Sequence, residues 1–137
     1  MQVQPYLFFD GRCEEALAFY GRAVGAKVSM LMRFKDSPEP AQPGMVPPDW
    51  QDKVMHASAR IGESDILLSD GHGGEAAGFH GFGLTLTVPD EAEAERAFGT
   101  LAEGGQVRMQ MAKTFFSPRF GMLVDRFGVL WMVYVAG

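Results

Sequence analysis

The spacing of apolar residues predicts one helix among four strands in the first half of the chain. Leu17, Tyr20 and Val24 recur at three- and four-residue intervals, as the buried face of a helix requires, and Gly25 follows as a stop signal. The predicted elements are a strand at 3–9, a helix at 14–24 and strands at 27–34, 53–61 and 64–69. The first half is therefore predicted to fold as β-α-β-β-β.

The second half repeats this order. Residues 82–88 alternate apolar side chains with Gly and Thr, which is typical of a half-buried strand. Asp90 with Glu93 three residues later predicts a helix start, and Gly104-Gly105 predicts its end. Further strands are predicted at 106–111, 120–124 and 129–135. Two copies of one β-α-β-β-β unit are the main organisational feature of this sequence.

Two stretches interrupt the pattern. Residues 34–53 contain five of the eight prolines and also Trp50, so this segment is predicted to be an irregular loop. A loop of this length is either a binding loop or lid, or simply a mobile connection. The glycine-rich stretch 70–78 is predicted to link the two halves. It is not a phosphate-binding loop, because a strand rather than a helix follows it.

Composition excludes several classes of protein. Twelve Lys and Arg against 17 Asp and Glu give a formal charge of −5 without any basic run, which argues against binding to nucleic acid or to an anionic membrane surface. No apolar stretch approaches the ~20 residues of a membrane helix, and no export signal precedes the first strand, so we expect a cytoplasmic protein. Cys13 is the only cysteine, which excludes an internal disulfide and a site built from several thiolates.

Several ordered motifs carry a family resemblance. Glu-Ala-Leu-Ala-Phe-Tyr at 15–20 and Asp-Arg-Phe-Gly-Val-Leu-Trp at 125–131 resemble the vicinal-oxygen-chelate superfamily, which includes glyoxalase I, extradiol dioxygenases, fosfomycin-resistance proteins and bleomycin-binding proteins. Pro-Tyr-Leu-Phe-Phe-Asp-Gly at 5–11, His56-Ala57 and Phe120-Gly121 are similar to its PhnB-like branch.

The resemblance implies an α+β fold and a small-molecule pocket. The whole chain, 1–137, would form a single domain of two tandem βαβββ modules, at about 1–70 and 79–137. Their curled mixed sheet would surround a cup-shaped cavity, and members of the superfamily commonly form a homodimer.

The resemblance also implies where a metal would bind. Superfamily enzymes hold a divalent metal with four side chains, usually His or Glu, from the first and last strands of the two modules. The matching positions here hold poor ligands or none: Gln4 or Pro5, Leu67 or Leu68, Gly83, and Met132 in place of a glutamate. We therefore expect neither a metal at this site nor another cofactor. Glyoxalase-type isomerisation, ring cleavage and fosfomycin opening would all lose their Lewis acid.

Strand alternation selects candidate site residues for the cup. His56 has the opposite parity to its apolar neighbours, which makes it the candidate acid or base, unless it serves as a hydrogen-bonded sheet residue or a dimer contact. Arg60 on the same face would bind an anion or form a surface salt bridge. The expected ligand-binding residues are Tyr6, Phe8, Trp50, His56, Arg60, Met132 and Tyr134.

Other reactive side chains have less specific settings. His72 and His80 lie in the glycine-rich linker and could form an unusual metal site with His56 or Asp70. Cys13 precedes a helix, where its thiol is either activated or simply buried. Asp70 and Asp125 follow strands in turn-like sequences and are expected to stabilise turns.

Three functional hypotheses follow from these residues. The first is a protein that binds an apolar or aromatic small molecule without chemistry. The second is an enzyme of the lyase, isomerase or transferase type that uses His56, with Tyr6 or Tyr134 as a partner, for proton transfer, or that recruits a metal through unusual ligands. The third is an association module without a ligand.

Overall fold

The computed structural model describes residues 1–38, 46–73 and 78–136. It divides into two compact units, Met1–Ala77 and Gly78–Gly137. Within the described residues, each unit contains one α-helix and one open four-stranded mixed sheet. The predicted α+β fold of two tandem βαβββ modules is confirmed.

The two units share one topology. The first comprises β1 (Tyr6–Phe8), α1 (Cys13–Val24), β2 (Lys27–Arg33), β3 (Val54–Ile61) and β4 (Ser64–Ser69). The second comprises β5 (Leu84–Val88), α2 (Glu91–Leu101), β6 (Gln106–Ala112), β7 (Phe120–Val124) and β8 (Leu130–Val135). The strand orders are β1-β4-β3-β2 and β5-β8-β7-β6. In each sheet the first strand runs parallel to the last, and the remaining pairs are antiparallel.

Each sheet buries one face under its helix. In the first unit Leu7, Ala57 and Leu68 are almost completely buried on the side of α1, whose Tyr20 packs against Phe9 with ring centroids 6.2 Å apart. The opposite faces keep half-buried and exposed side chains. This division follows the two-residue period of the strands.

The start of α2 and the end of α1 match the sequence signals, whereas α2 ends at Leu101, before the Gly104-Gly105 pair that was predicted to end it. The carboxylate of Asp90 accepts a hydrogen bond from the Glu93 amide at 2.9 Å, which satisfies one of the free amides in the first turn of α2. Gly25 closes α1 with a φ of 70°, a backbone conformation that side chains with a Cβ rarely adopt.

Strand β1 is shorter than its apolar run predicted. Only Tyr6–Phe8 pairs regularly with β4, whereas the prediction began at residue 3. The carbonyl of Pro5 still accepts from the Leu67 amide at 3.0 Å, but proline has no N–H to continue the ladder.

The proline-rich segment is tied together at its two ends. One-turn 3₁₀ helices form at Phe34–Asp36 and Pro48–Trp50, where the sequence predicted no regular structure. The Phe34 amide donates to the Lys53 carbonyl at 3.1 Å, and the Lys35 amide donates to the Gln51 carbonyl at 3.1 Å. The choice between a binding loop or lid and a mobile connection for residues 34–53 stays open, and residues 39–45 of this segment lie outside the described residues.

Asp70, at the end of β4, connects this strand to three other segments of the first unit. Its side chain is buried, and Oδ1 accepts hydrogen bonds from the amides of Gly11 and Cys13, both at 2.8 Å. The second oxygen, Oδ2, accepts from the Val54 amide at 2.8 Å. One carboxylate thus joins the turn after β1, the first turn of α1, the start of β3 and the end of β4. The sequence predicted a structural role for Asp70 but in its own turn, whereas the bonds of its carboxylate go to distant segments.

We predict that Asp70→Ala destabilises the protein severely. The substitution leaves three backbone amides without their acceptor, and each buried amide left unpaired costs about 1–3 kcal/mol. We expect urea denaturation to show a loss of about 3–5 kcal/mol in the free energy of unfolding.

Asp65→Ala is the matched control for this prediction. Asp65 forms only a partly exposed ion pair with Arg60, so the substitution should cost less than about 1 kcal/mol. Equal losses for the two variants would contradict the role assigned to Asp70.

Candidate functional site

The candidate site lies on the face of the first sheet opposite α1. Phe8 is 57% exposed and Tyr6 is 38% exposed, although both are large aromatic residues in a strand. His56 on β3 is half-buried. Large aromatic side chains are usually buried, so two exposed aromatic rings beside a histidine are typical of a surface that binds a ligand.

Tyr6, Phe8 and His56 form one cluster. The rings of Tyr6 and Phe8 stack with centroids 4.9 Å apart and planes inclined by 16°. The Tyr6 hydroxyl lies 2.7 Å from Nδ1 of His56, within hydrogen-bonding distance, and the two rings are 5.5 Å apart. Because β4 lies between β1 and β3 in the sheet, the Tyr6 side chain reaches across a whole strand to make this bond.

The Tyr6 phenol remains protonated at neutral pH. Partial burial raises the pKa of Tyr6 above its ordinary value of 10, and a hydrogen bond with the side chain of Ser69 acts in the opposite direction. A neutral phenol next to an imidazole nitrogen can bind a ligand or take part in proton transfer.

Trp50 holds a stretch of backbone that lies next to Phe8. Its indole Nε1 donates to the carbonyl of Gly71 at 2.9 Å. Gly71 in turn lies against Phe8: a Cβ at this glycine would be 3.6 Å from Phe8 Cδ1. The indole also covers Gly11, where a Cβ would be 3.3 Å from Trp50 Cη2. Trp50 therefore fixes backbone next to Phe8, and its polar atom already has a partner.

Arg60 is paired within its own sheet. Its guanidinium lies 3.1 Å from the carboxylate of Asp65 on β4, and both side chains are partly exposed. This is the surface salt bridge that the sequence left open as the alternative to anion binding.

Met132 and Tyr134 lie on the corresponding face of the second sheet. Met132 pairs with Thr85 on one side and with Met122 on the other, while Tyr134 pairs with Thr87 and Phe120. These side chains form a largely apolar surface edged by threonine hydroxyls.

The residues present do not fit the superfamily metal. A Cβ at Gly83 would lie 3.1 Å from Leu130 Cγ and 3.1 Å from Met132 Cε, so apolar side chains fill the space that a ligand at position 83 would need. Leu68 is buried on the helix side of its sheet. Throughout the described parts of the chain, no group of three or more His, Cys, Asp and Glu is arranged to hold a metal ion.

The other side chains that the sequence singled out as reactive contact neighbouring groups of the fold or are buried in it. Asp125 is buried and accepts hydrogen bonds from the Phe127 amide, the Val129 amide and the indole of Trp131, at 2.9 to 3.0 Å. His72 lies beside Phe34 with ring centroids 6.4 Å apart. Cys13 is fully buried in the first turn of α1.

The sequence placed Tyr6 and His56 on one face and offered both Tyr6 and Tyr134 as partners of His56, without deciding between them. Parity shows which face a side chain occupies, whereas the strand order decides which side chains meet. The repeated β-α-β-β-β order was the sequence signal for the contact of Tyr6 with His56. When the first strand of a unit pairs with its last strand, only β4 separates Tyr6 on β1 from His56 on β3.

A family model and a curated relative both match nearly the whole of this chain. Residues 2–133 match the model of the Glyoxalase/Bleomycin resistance protein/Dioxygenase superfamily. Protein YjdN of Escherichia coli K12 is 37% identical over 142 residues, which cover 98% of this chain and 95% of that protein. None of the described helices has the length and apolar character needed to cross a membrane.

Two solved structures are similar over nearly their whole length. Protein PA1353 from Pseudomonas aeruginosa has a TM-score of 0.86 at 43% identity, with 99% of this chain and 98% of that chain covered. A PhnB protein from Bacillus cereus, described as a putative 3-demethylubiquinone-9 3-methyltransferase, has a TM-score of 0.82 at 25% identity, with 99% and 100% covered.

We predict that Cys13 is inert in the folded protein. Burial, followed by the nearby charges of Asp70 and Glu14, raises the pKa of the thiol to about 12, so almost no thiolate forms at pH 8. Iodoacetamide labelling followed by mass spectrometry should show no modification in buffer and complete modification in denaturant. Rapid labelling of the folded protein would instead indicate an activated thiol.

Proposed function

Because this chain belongs to the Glyoxalase/Bleomycin resistance protein/Dioxygenase superfamily, we propose that it is a small-molecule-binding protein that works without the superfamily metal. The observation that carries this proposal is the exposed Tyr6–Phe8 stack with His56 hydrogen-bonded beside it. The proposal extends to a cytoplasmic homodimer that binds neither nucleic acid nor membrane, in keeping with its acidic charge.

The geometry favours a flat, largely apolar ligand. Phe8 offers an exposed ring, and stacked aromatic pairs contribute about 0.5–1.5 kcal/mol beyond the area that they bury. Tyr6, which stacks on this ring, and its hydrogen-bonded partner His56 add polar atoms that would orient the ligand. Trp50 serves as a positioning residue, because it holds the backbone of Gly71 next to Phe8.

The donor set argues against the metal-dependent reactions of the superfamily. Gly83 and Met132 supply neither carboxylate nor imidazole, and Leu130 and Met132 fill the space above Gly83. The sequence of this chain argues against the methyltransferase activity named in the description of the Bacillus cereus protein. This chain lacks the strand, glycine-rich loop and helix that would bind S-adenosylmethionine.

A second candidate function rests on the same hydrogen bond. A phenol 2.7 Å from an imidazole nitrogen can relay a proton, so Tyr6 and His56 could act as the acid–base pair of a lyase, isomerase or transferase. An enzyme of this kind would lose turnover completely in His56→Ala, whereas a binding protein would lose only part of its affinity.

We predict that aromatic compounds stabilise the protein through Phe8. In a thermal-shift screen of flat bicyclic compounds, the compounds that raise the Tm should bind about tenfold more weakly to Phe8→Ala, because the stacking surface is removed. Phe115→Ala is the matched control, since Phe115 is fully exposed in the second unit. A screen without any stabilising compound, or equal losses in the two variants, would refute ligand binding at this site.

We also predict that the protein contains no stoichiometric metal. Elemental mass spectrometry of protein purified without an affinity tag or chelator should find Mn, Fe, Ni and Zn far below one ion per chain, because the donors at the superfamily positions are absent. About one ion per chain that disappears in His56→Ala would return the protein to the metalloenzymes.

A further inference from the structure

We infer that Tyr6 holds the neutral imidazole of His56 in the tautomer that carries its proton on Nε2, so that the site selects flat aromatic ligands bearing a hydrogen-bond-accepting oxygen. The choice of ligand rests on the proposed function, whereas the state of His56 rests on the geometry alone. The inference makes His56 a donor toward the ligand and not a base.

The hydrogen bond between Tyr6 and His56 runs from the phenol to the imidazole. The phenol of Tyr6 keeps its proton at neutral pH and lies 2.7 Å from Nδ1 of His56. An imidazole nitrogen without a proton is a strong acceptor, and the phenol has one proton to give. Tyr6 therefore donates to Nδ1, and the proton of the neutral imidazole is on Nε2.

The other polar atom near the phenol is the hydroxyl oxygen of Ser69. A hydrogen bond with the hydroxyl of Ser69 lowers the pKa of Tyr6, which is the effect of a donor to the phenol oxygen and leaves the phenol proton available for another acceptor. Ser69 Oγ also accepts from the Gly71 amide at 2.9 Å and lies 3.4 Å from the Val54 carbonyl. The imidazole is a stronger acceptor than this already bonded hydroxyl, which favours His56 as the partner of Tyr6.

The tautomer of His56 and the exposed ring of Phe8 together determine which ligands complement the site. A neutral histidine has a single acceptor nitrogen, and here the Tyr6 proton occupies it. The remaining Nε2–H can only donate. Phe8 beside it provides a ring to stack on, and Met32, the cross-strand neighbour of His56, adds a polarisable apolar side chain. The complementary ligand is an aromatic ketone, quinone, amide or carboxylate.

Nitrogen NMR tests the state of His56 directly. In protein labelled with ¹⁵N-histidine at pH 8, long-range ¹H–¹⁵N spectra should show His56 with a protonated Nε2 and an unprotonated Nδ1. Tyr6→Phe should return His56 to the mixed tautomers of free histidine and leave His72 and His80 unchanged; His56→Gln assigns the signals. A protonated Nδ1 in the unsubstituted protein would overturn the inference and leave Nε2 available as a base.

Two matched probes test the ligand chemistry. 2-Acetylnaphthalene and 2-ethylnaphthalene have the same ring and nearly the same shape, but only the first carries an acceptor oxygen. We expect the ketone to bind about tenfold more tightly, and we expect His56→Leu to abolish this preference while both probes still bind.

The outcomes separate the two proposals. Equal binding of both probes to the unsubstituted protein would overturn the inferred ligand chemistry and leave the proposed binding function intact. Binding of neither probe, together with a screen that finds no ligand, would overturn the proposed function, while the nitrogen spectra would still decide the state of His56.

Discussion

The carboxylate of Asp70 organises the first unit. Three amides from different segments converge on its two oxygens, and a buried charge is tolerated in such a place only when hydrogen bonds compensate for its lost hydration. Because these bonds fix the turn after β1 and the start of β3 to the end of β4, they set the frame in which Tyr6 reaches across β4 to His56. The geometry of the candidate site therefore depends on Asp70, a buried residue that is not itself part of the Tyr6, Phe8 and His56 cluster.

The side chains at the expected metal-ligand positions bear on what this fold can do. At two of the positions where the family resemblance places ligands, this chain has Gly83 and Met132, with Leu130 packed over the glycine. Under the proposed function, small-molecule recognition comes from surface shape, aromatic stacking and a few hydrogen bonds. The first sheet offers such a combination in Phe8, Tyr6 and His56, whereas the corresponding face of the second sheet offers methionine, tyrosine and threonine.

The fold could be predicted from the sequence because each element carries its own period. The two-residue alternation of β5 and the Asp90 cap of α2 are local signals, and the structure confirms both. Contacts between strands are different, since they depend on strand order and register. Parity placed Tyr6 and His56 on one face, but only the β1-β4-β3 order brings the phenol to the imidazole. Similarly, the composition of the loop singled out Trp50 as a ligand contact without revealing that its indole N–H is bonded to Gly71.

The central claim is that an aromatic ligand lies on the Tyr6–Phe8 stack beside His56. The most direct measurement is a set of intermolecular nuclear Overhauser effects between 2-acetylnaphthalene and protein with labelled aromatic residues. The account predicts contacts from the naphthalene protons to the ring of Phe8 and from the acetyl methyl group to the imidazole of His56. Contacts to Phe115 and Phe116 instead, with none to Phe8, would contradict the account and move ligand binding to the second unit.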